Sequence, residues 1–181
     1  MIDHNVNTFG GFGPAPAPVL QQLSIVQHNC LGSWNVFSSL FISLKTVTQT
    51  PSFFLLQDPP VFRNRLPSFV GFKAFVPKIQ NGMLPKVACY VYYEFLQTYS
   101  ILPVFFEWPD WMALDVHTPS GLFVSNHHIL RMYNGYSTNG TLYVRTVTPD
   151  KMFQDHDFPC LVVGDFNVHN PLSDPLREYS A

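Results

Sequence analysis

Residues 160–169 read Cys-Leu-Val-Val-Gly-Asp-Phe-Asn-Val-His. The short apolar run at its start predicts a buried strand that ends at Gly164. Asp165 and Asn167 lie two residues apart, so on an extended chain their side chains point to the same face. A carboxylate and a carboxamide at the carboxyl end of a strand suit phosphodiester hydrolysis, because the acid can accept a proton or hold a hard cation. The pattern alone fits a strand followed by an Asp/Asn turn equally well.

Earlier parts of the chain predict a layered α/β arrangement. Residues 23–29 alternate apolar and polar side chains like a first strand, which finishes on Asn29. Ser33 is placed to cap a helix over residues 34–47, whose apolar side chains recur at helical spacing. Residues 53–60 predict a second buried strand that ends on an acid. A strand, a helix and another strand are the start of an α/β layered fold.

Later segments continue the strand pattern. We expect strands over residues 72–76, 87–95, 111–117 and 129–133, and no internal repeat or second domain. Residues 1–22 predict a disordered Gly/Pro-rich tail, and residues 23–181 form the predicted domain.

The composition limits the possible functions. Charged residues make up 12% of the 181 residues, against about 25% in an average protein. The formal net charge is −2, which argues against tight non-specific DNA binding by this chain alone. A nuclease remains open, because bound cations can supply positive charge at the site.

The cysteines and the hydropathy pattern indicate an intracellular protein. Cys30, Cys89 and Cys160 are far apart, show no CxxC spacing, and are predicted to be reduced and buried. The first residues show no signal peptide, and the apolar runs fall short of the length of a membrane span.

Several of the predicted strands end in a polar residue that could belong to a shared catalytic site. Each of these residues lies within a longer sequence motif. The motifs are Gln-His-Asn-Cys at 27–30, Leu-Gln-Asp-Pro-Pro at 56–60, Leu-Asp-Val at 114–116 with Pro-Ser-Gly at 119–121, Met-Tyr-Asn at 132–134, and Gly-Asp-Phe-Asn-Val-His-Asn-Pro at 164–171. In this order, over about residues 23–176, they resemble the endonuclease/exonuclease/phosphatase superfamily. The wording at 57–60 and 164–169 is most similar to the nuclease domain of fungal LINE-type (non-LTR) retrotransposons.

The resemblance implies a fold and a reaction. The fold is an α/β (α+β) four-layer sandwich of two packed mixed β-sheets flanked by helices, with the site at one edge. The reaction is cleavage of a phosphodiester in DNA by in-line attack of water, with Mg²⁺, or Mn²⁺ in its place, as cofactor. Oxygen ligands suit this cation, which keeps several waters and needs only one or two carboxylates.

Carried over position by position, the resemblance implies a role for each site residue. Asp58 would be the metal ligand, and Asn29 would help bind metal or phosphate. Tyr133 would hydrogen-bond the phosphate, and Asn167 would orient it. Asp165 would position or deprotonate the attacking water.

Two departures from the family pattern affect these expectations. The family places Glu at the metal-ligand position, where this chain has the shorter Asp58. The family also continues to a further Asp and a terminal His, whereas this sequence ends at Ala181 without them. We therefore expect a domain that is incomplete at its C-terminal end, with the last strands missing, and activity in that truncated form stays open.

Other function classes stay open beside the DNA endonuclease. One is a non-catalytic retroelement remnant or nucleic-acid-binding module, which the missing histidine favours. Another is an inositol-phosphate or sphingolipid phosphodiesterase, which the retroelement-like wording disfavours. The expected partners are DNA and a fused or separate reverse transcriptase, with no membrane, and the expected location is nuclear.

Overall fold

The computed structural model of the chain describes residues 23–44, 49–63, 65–78, 83–104, 109–118, 128–136 and 157–165. These residues form, in chain order, β1 (Ile25–Asn29), α1 (Trp34–Ser43), β2 (Phe53–Gln57), β3 (Phe72–Phe75), β4 (Val87–Tyr92), α2 (Tyr93–Thr98), β5 (Ser100–Val104), β6 (Trp111–His117), β7 (Ile129–Tyr136) and β8 (Cys160–Asp165). The predicted tail over residues 1–22 lies outside the described residues, as does Asn167.

The strands form two four-stranded sheets. The first has the order β1-β2-β4-β3 and the second the order β5-β6-β7-β8. Both sheets are mixed, because β1 pairs with β2 in parallel, β7 pairs with β8 in parallel, and the other pairs are antiparallel. The predicted α/β sandwich of two mixed sheets is therefore confirmed.

Apolar side chains fill the space between the sheets. Alternate residues of β2 and β4, including Phe53, Leu55 and Val91, pack against Met112 and Leu114 of the second sheet. These side chains are at most 3% exposed. The period-2 alternation of strands places this set of side chains on the inner faces of both sheets.

The outer face of the first sheet is covered by α1. Ser33 caps the helix as predicted, its hydroxyl accepting from the Val36 N–H at 3.3 Å. Phe37 and Phe41 then pack their rings against Tyr90 on the sheet. Within the described segments, neither helix is long and apolar enough to cross a membrane.

Two local expectations were wrong, and one strand was not expected. The strand predicted over 87–95 ends at Tyr92, because Phe95 and Tyr99 stack their rings 4.1 Å apart across one helical turn at the end of α2. Strand β5 was not predicted, since it contains Pro103, which an edge strand tolerates. Strand β8 is half-buried rather than buried, because among the described strands it pairs only with β7.

A buried pair of amide side chains joins the two sheets. Gln57 at the end of β2 donates from Nε2 to Asn134 Oδ1 on β7 at 2.5 Å. Asn134 Nδ2 donates in turn to the carbonyl oxygens of Leu56 at 3.1 Å and Ala88 at 3.0 Å. Both amides are at most 1% exposed. They therefore satisfy one another and two strand carbonyls inside an apolar core.

Replacing Asn134 tests the importance of this pair. Asn134→Ala leaves Gln57 and two carbonyls without their partner in a dry core, so we expect the free energy of unfolding to fall by about 3 kcal/mol. Urea denaturation followed by circular dichroism measures the loss. The control is Gln27→Ala, which removes an exposed amide that also bonds Gln57, at 3.4 Å, and should change stability by less than about 0.5 kcal/mol. Equal losses in the two variants would contradict the prediction.

Candidate functional site

The ends of strands from both sheets meet at one edge of the sandwich. Strands β1 and β2 are parallel, with Asn29 opposite Gln57, so Asn29 and Asp58 leave the sheet side by side. Strand β4 runs antiparallel to β2 and begins opposite its end, which brings Lys86 against Asp58. In the second sheet, Asp165 is the last residue of β8.

Asn29 and Asp165 are in direct contact. Asn29 Nδ2 donates to Asp165 Oδ2 at 2.7 Å, across 136 residues of sequence. Asn29 Oδ1 accepts from the Leu31 N–H at 2.9 Å, which fixes the orientation of the amide. The two polar strand ends singled out by the sequence therefore lie together, one from each sheet.

Asp58 has a cation as its immediate neighbour. Lys86 Nζ lies 2.7 Å from Asp58 Oδ1, and the Asp58 N–H donates to the Lys86 carbonyl at 2.7 Å. The backbone of Asp58 is left-handed, with φ at +42°, which is costly for a residue with a side chain. Burial, and secondarily the Asp58 charge, raises the pKa of the neighbouring Cys30 thiol to about 11. That cysteine is therefore a neutral structural residue.

Tyr133 does not share this edge. It lies on the outer face of the second sheet, 2% exposed, beside Ala113 and Cys160. Burial raises the pKa of its phenol, and the Arg131 guanidinium beside it partly offsets that rise. Arg131 also holds Asp115 through two bonds of 2.6 and 2.8 Å. This side of the sheet is a structural layer, so the phosphate contact expected of Tyr133 has no support from its position.

Tyr136 is the tyrosine that faces the site. It lies two residues after Asn134, on the inner face of β7, and directly opposite Asp165 on β8. The pKa of its phenol is raised mainly by burial; the charges of Asp58 and Asp165 raise it further and the Lys86 ammonium lowers it. The phenol therefore stays protonated and can donate a hydrogen bond.

A short turn holds Lys86 and Tyr136 in place. The Lys86 N–H donates to the carbonyl of Pro109 at 2.7 Å, and the Tyr136 N–H donates to the carbonyl of Asp110 at 2.9 Å. Sequence reasoning missed both residues. The available signal for Tyr136 was its period-2 spacing from Asn134. Lys86 had no such signal, because its place beside Asp58 depends on the antiparallel pairing of β4 with β2.

No protein-family model and no curated protein matches the chain. The chemistry that the site can perform follows from its side chains. They are two carboxylates, one amide, one ammonium and one phenol: Asp58, Asp165, Asn29, Lys86 and Tyr136. Asn167, the remaining predicted member, lies outside the described residues.

The donor set fits a hard divalent cation. In the described part of the chain, no three residues of the types His, Cys, Asp and Glu cluster closely enough to form a protein-only cage. Mg²⁺ requires less, because one or two carboxylates and water are sufficient. The Lys86 ammonium already stands against Asp58 Oδ1 as a cation. On the other oxygen, a Cβ on Gly32 would lie 3.6 Å from Asp58 Oδ2, so the glycine leaves room there.

Removing the lysine tests whether Asp58 is a metal ligand. Lys86 competes with any metal for Asp58, so we expect Lys86→Met to tighten Mn²⁺ binding by about fivefold, the equivalent of an exposed ion pair of about 1 kcal/mol. Electron paramagnetic resonance of free Mn²⁺ measures the affinity. Lys73→Met removes an exposed lysine of β3 as the matched control and should leave the affinity unchanged. Weaker binding by Lys86→Met would show that the lysine does not compete for the site.

Proposed function

We propose that the chain is a Mg²⁺-dependent phosphodiesterase of the DNA endonuclease type, of retrotransposon origin. The observation that carries the proposal is the 2.7 Å bond from Asn29 to Asp165, which fixes a carboxylate at the edge where Asp58 also lies. An oriented acid beside a second acid, a cation and a phenol suits the in-line attack of water on a phosphodiester.

The side chains of the site divide the tasks of the reaction in this proposal. Asp165 orients and deprotonates the attacking water, and Asn29 holds the Asp165 carboxylate in place through a hydrogen bond to its Oδ2. Tyr136 donates its phenolic proton in a hydrogen bond to a phosphate oxygen. Asp58 and Asn29 would hold Mg²⁺, which would offset the negative charge that develops on the phosphate. Orientation of the phosphate by Asn167 remains part of the proposal.

A non-catalytic nucleic-acid-binding remnant is the second candidate. The observation in its favour is the Lys86–Asp58 ion pair, because an ammonium at 2.7 Å neutralises the carboxylate without any metal. A phosphodiesterase for inositol phosphates or sphingolipids has no such observation behind it. The proposed partners are DNA and a reverse transcriptase, and the proposed location is nuclear.

Plasmid nicking tests the catalytic proposal. We expect the purified chain to nick supercoiled DNA with Mg²⁺ and to lose this activity with chelator. Asp165→Asn keeps the shape of the side chain but cannot accept the proton, so the nicking rate should fall by at least about 100-fold. Agarose gel electrophoresis of the nicked circle measures the rate. Absence of nicking by a folded wild-type protein would favour the remnant, and full activity of Asp165→Asn would indicate a contaminating nuclease.

A matched pair of tyrosine variants tests which phenol serves the reaction. Tyr136→Phe removes the donor that faces Asp165, so we expect the nicking rate to fall by about 10-fold to 100-fold. Tyr133→Phe removes a hydroxyl on the opposite face and should leave the rate within about twofold while lowering the melting temperature. The reverse pattern would restore the sequence-based assignment to Tyr133.

A further inference from the structure

A groove opens next to Asp58, outside the set of side chains that the reaction uses. Its volume is about 1200 Å³, and it is lined by Gly32, Trp34, residues 60–63 and residues 65–68. We call it the Trp34–Phe62 groove. Gly32 joins it to the candidate site, because the Gly32 N–H donates to the Asp58 carbonyl at 2.7 Å. A nucleic-acid strand with a phosphate at Asp58 would therefore have this groove directly beside it.

Two aromatic rings stand exposed in the groove. Trp34 is 56% exposed and Phe62 is 70% exposed, although most aromatic side chains of the described chain are at least half-buried. The Trp34 ring stacks in parallel on Phe37, with centroids 5.6 Å apart, so one of its faces is supported from below. Flat, supported and exposed rings are the platforms on which nucleic-acid bases stack.

Two arginines flank these rings. Phe62 and Arg65 exchange backbone hydrogen bonds of 2.9 and 3.0 Å, which closes a tight hairpin and holds Arg63 at its tip. The Arg63 guanidinium lies 5.1 Å from the centroid of the Phe62 ring. Both arginines are exposed, and within the described residues no carboxylate forms an ion pair with either. In a chain with a net charge of −2, this is a local site for an anion.

Strained backbone is concentrated in the same two loops. Leu31, Asp58 and Arg63 have φ values of +52°, +42° and +50°, and in the described part of the chain these are the non-glycine residues with positive φ. All three lie in the loops that follow β1 and β2, and Arg63 lines the groove itself. Such strain persists where surrounding contacts over-determine the backbone, and it is concentrated at ligand clamps.

We propose that the Trp34–Phe62 groove binds one unpaired nucleotide of the nucleic-acid strand that passes Asp58. Its base stacks on Phe62 and Trp34, and Arg65 contacts an adjacent phosphate. The nucleotide has to be unpaired, because a base inside a duplex already has neighbours on both faces. The position of this nucleotide beside the cleaved bond rests on the proposed function, whereas the binding itself requires no metal and no catalysis.

Fluorescence anisotropy with fluorescein-labelled oligothymidylate tests the proposal in chelator, where no cleavage occurs. We expect the single strand to bind the full chain at least about fivefold more tightly than a duplex of equal length. Phe62→Leu keeps an apolar side chain without the aromatic face and should weaken single-strand binding by about fivefold or more. Phe62→Trp should retain binding. Arg65→Ala should reduce the slope of log affinity against log salt by about 0.7.

Matched controls separate the groove from general surface effects. Tyr93→Leu removes another exposed ring, on α2, and Lys73→Ala removes an exposed cation that lies over the Phe75 ring on β3. Neither residue lines the groove, so both variants should bind like the wild type. Equal affinity for single strand and duplex, or wild-type binding by both Phe62→Leu and Arg65→Ala, would overturn the proposal.

The same assay separates this proposal from the catalytic one. A protein that binds single strands through Phe62 but never nicks DNA would support the groove and refute the nuclease. A protein that nicks DNA with unchanged binding by the groove variants would support the nuclease and refute the groove.

Discussion

The structure depends on the satisfaction of two amides in the core between its sheets. Gln57 and Asn134 belong to different sheets, and their side chains hydrogen-bond to each other. Without this bond, burial of either amide would cost free energy, because its polar atoms would lack a partner. Asn134 also binds carbonyls of two neighbouring strands, β2 and β4, at 3.1 and 3.0 Å. Contacts between apolar side chains are non-directional, whereas these hydrogen bonds hold the two sheets at one relative position. Two residues of the polar edge follow these amides closely in sequence: Asp58 comes directly after Gln57, and Tyr136 lies two residues beyond Asn134.

The fixed relative position of the two sheets explains how residues from both of them form one site. Asn29 and Asp165 are the last residues of strands that belong to different sheets, so no single sheet determines their distance. Their 2.7 Å bond requires the sheets to stay aligned to within a fraction of an ångström. The buried amides provide that alignment from inside the core, next to the edge where precision is needed.

The sequence predicted those parts of the fold that local patterns control. Strand β2 was predicted because it begins with a run of four apolar residues, and α1 because Ser33 precedes apolar residues at helical spacing. The polar ends Asn29, Asp58 and Asp165 were predicted from their positions after strands. Tyr133 and Tyr136 are three residues apart on β7, so they lie on opposite faces of the sheet, and the sequence pattern did not show which of the two faces the site. The position of Lys86 beside Asp58 depends on the antiparallel pairing of β4 with β2, and the groove depends on how the loops after β1 and β2 meet; no local pattern records either.

The long sequence separation between the two halves of the site has a consequence for folding kinetics. The 136 residues between Asn29 and Asp165 mean that the site forms through contacts between distant parts of the chain. Closing so long a loop costs entropy before any contact forms, and such topologies fold slowly. During synthesis, the amino-terminal half of the site leaves the ribosome long before its partner strand exists. The inner face of the apolar first sheet stays uncovered until the strands of the second sheet have been made, and in that interval it is exposed to aggregation.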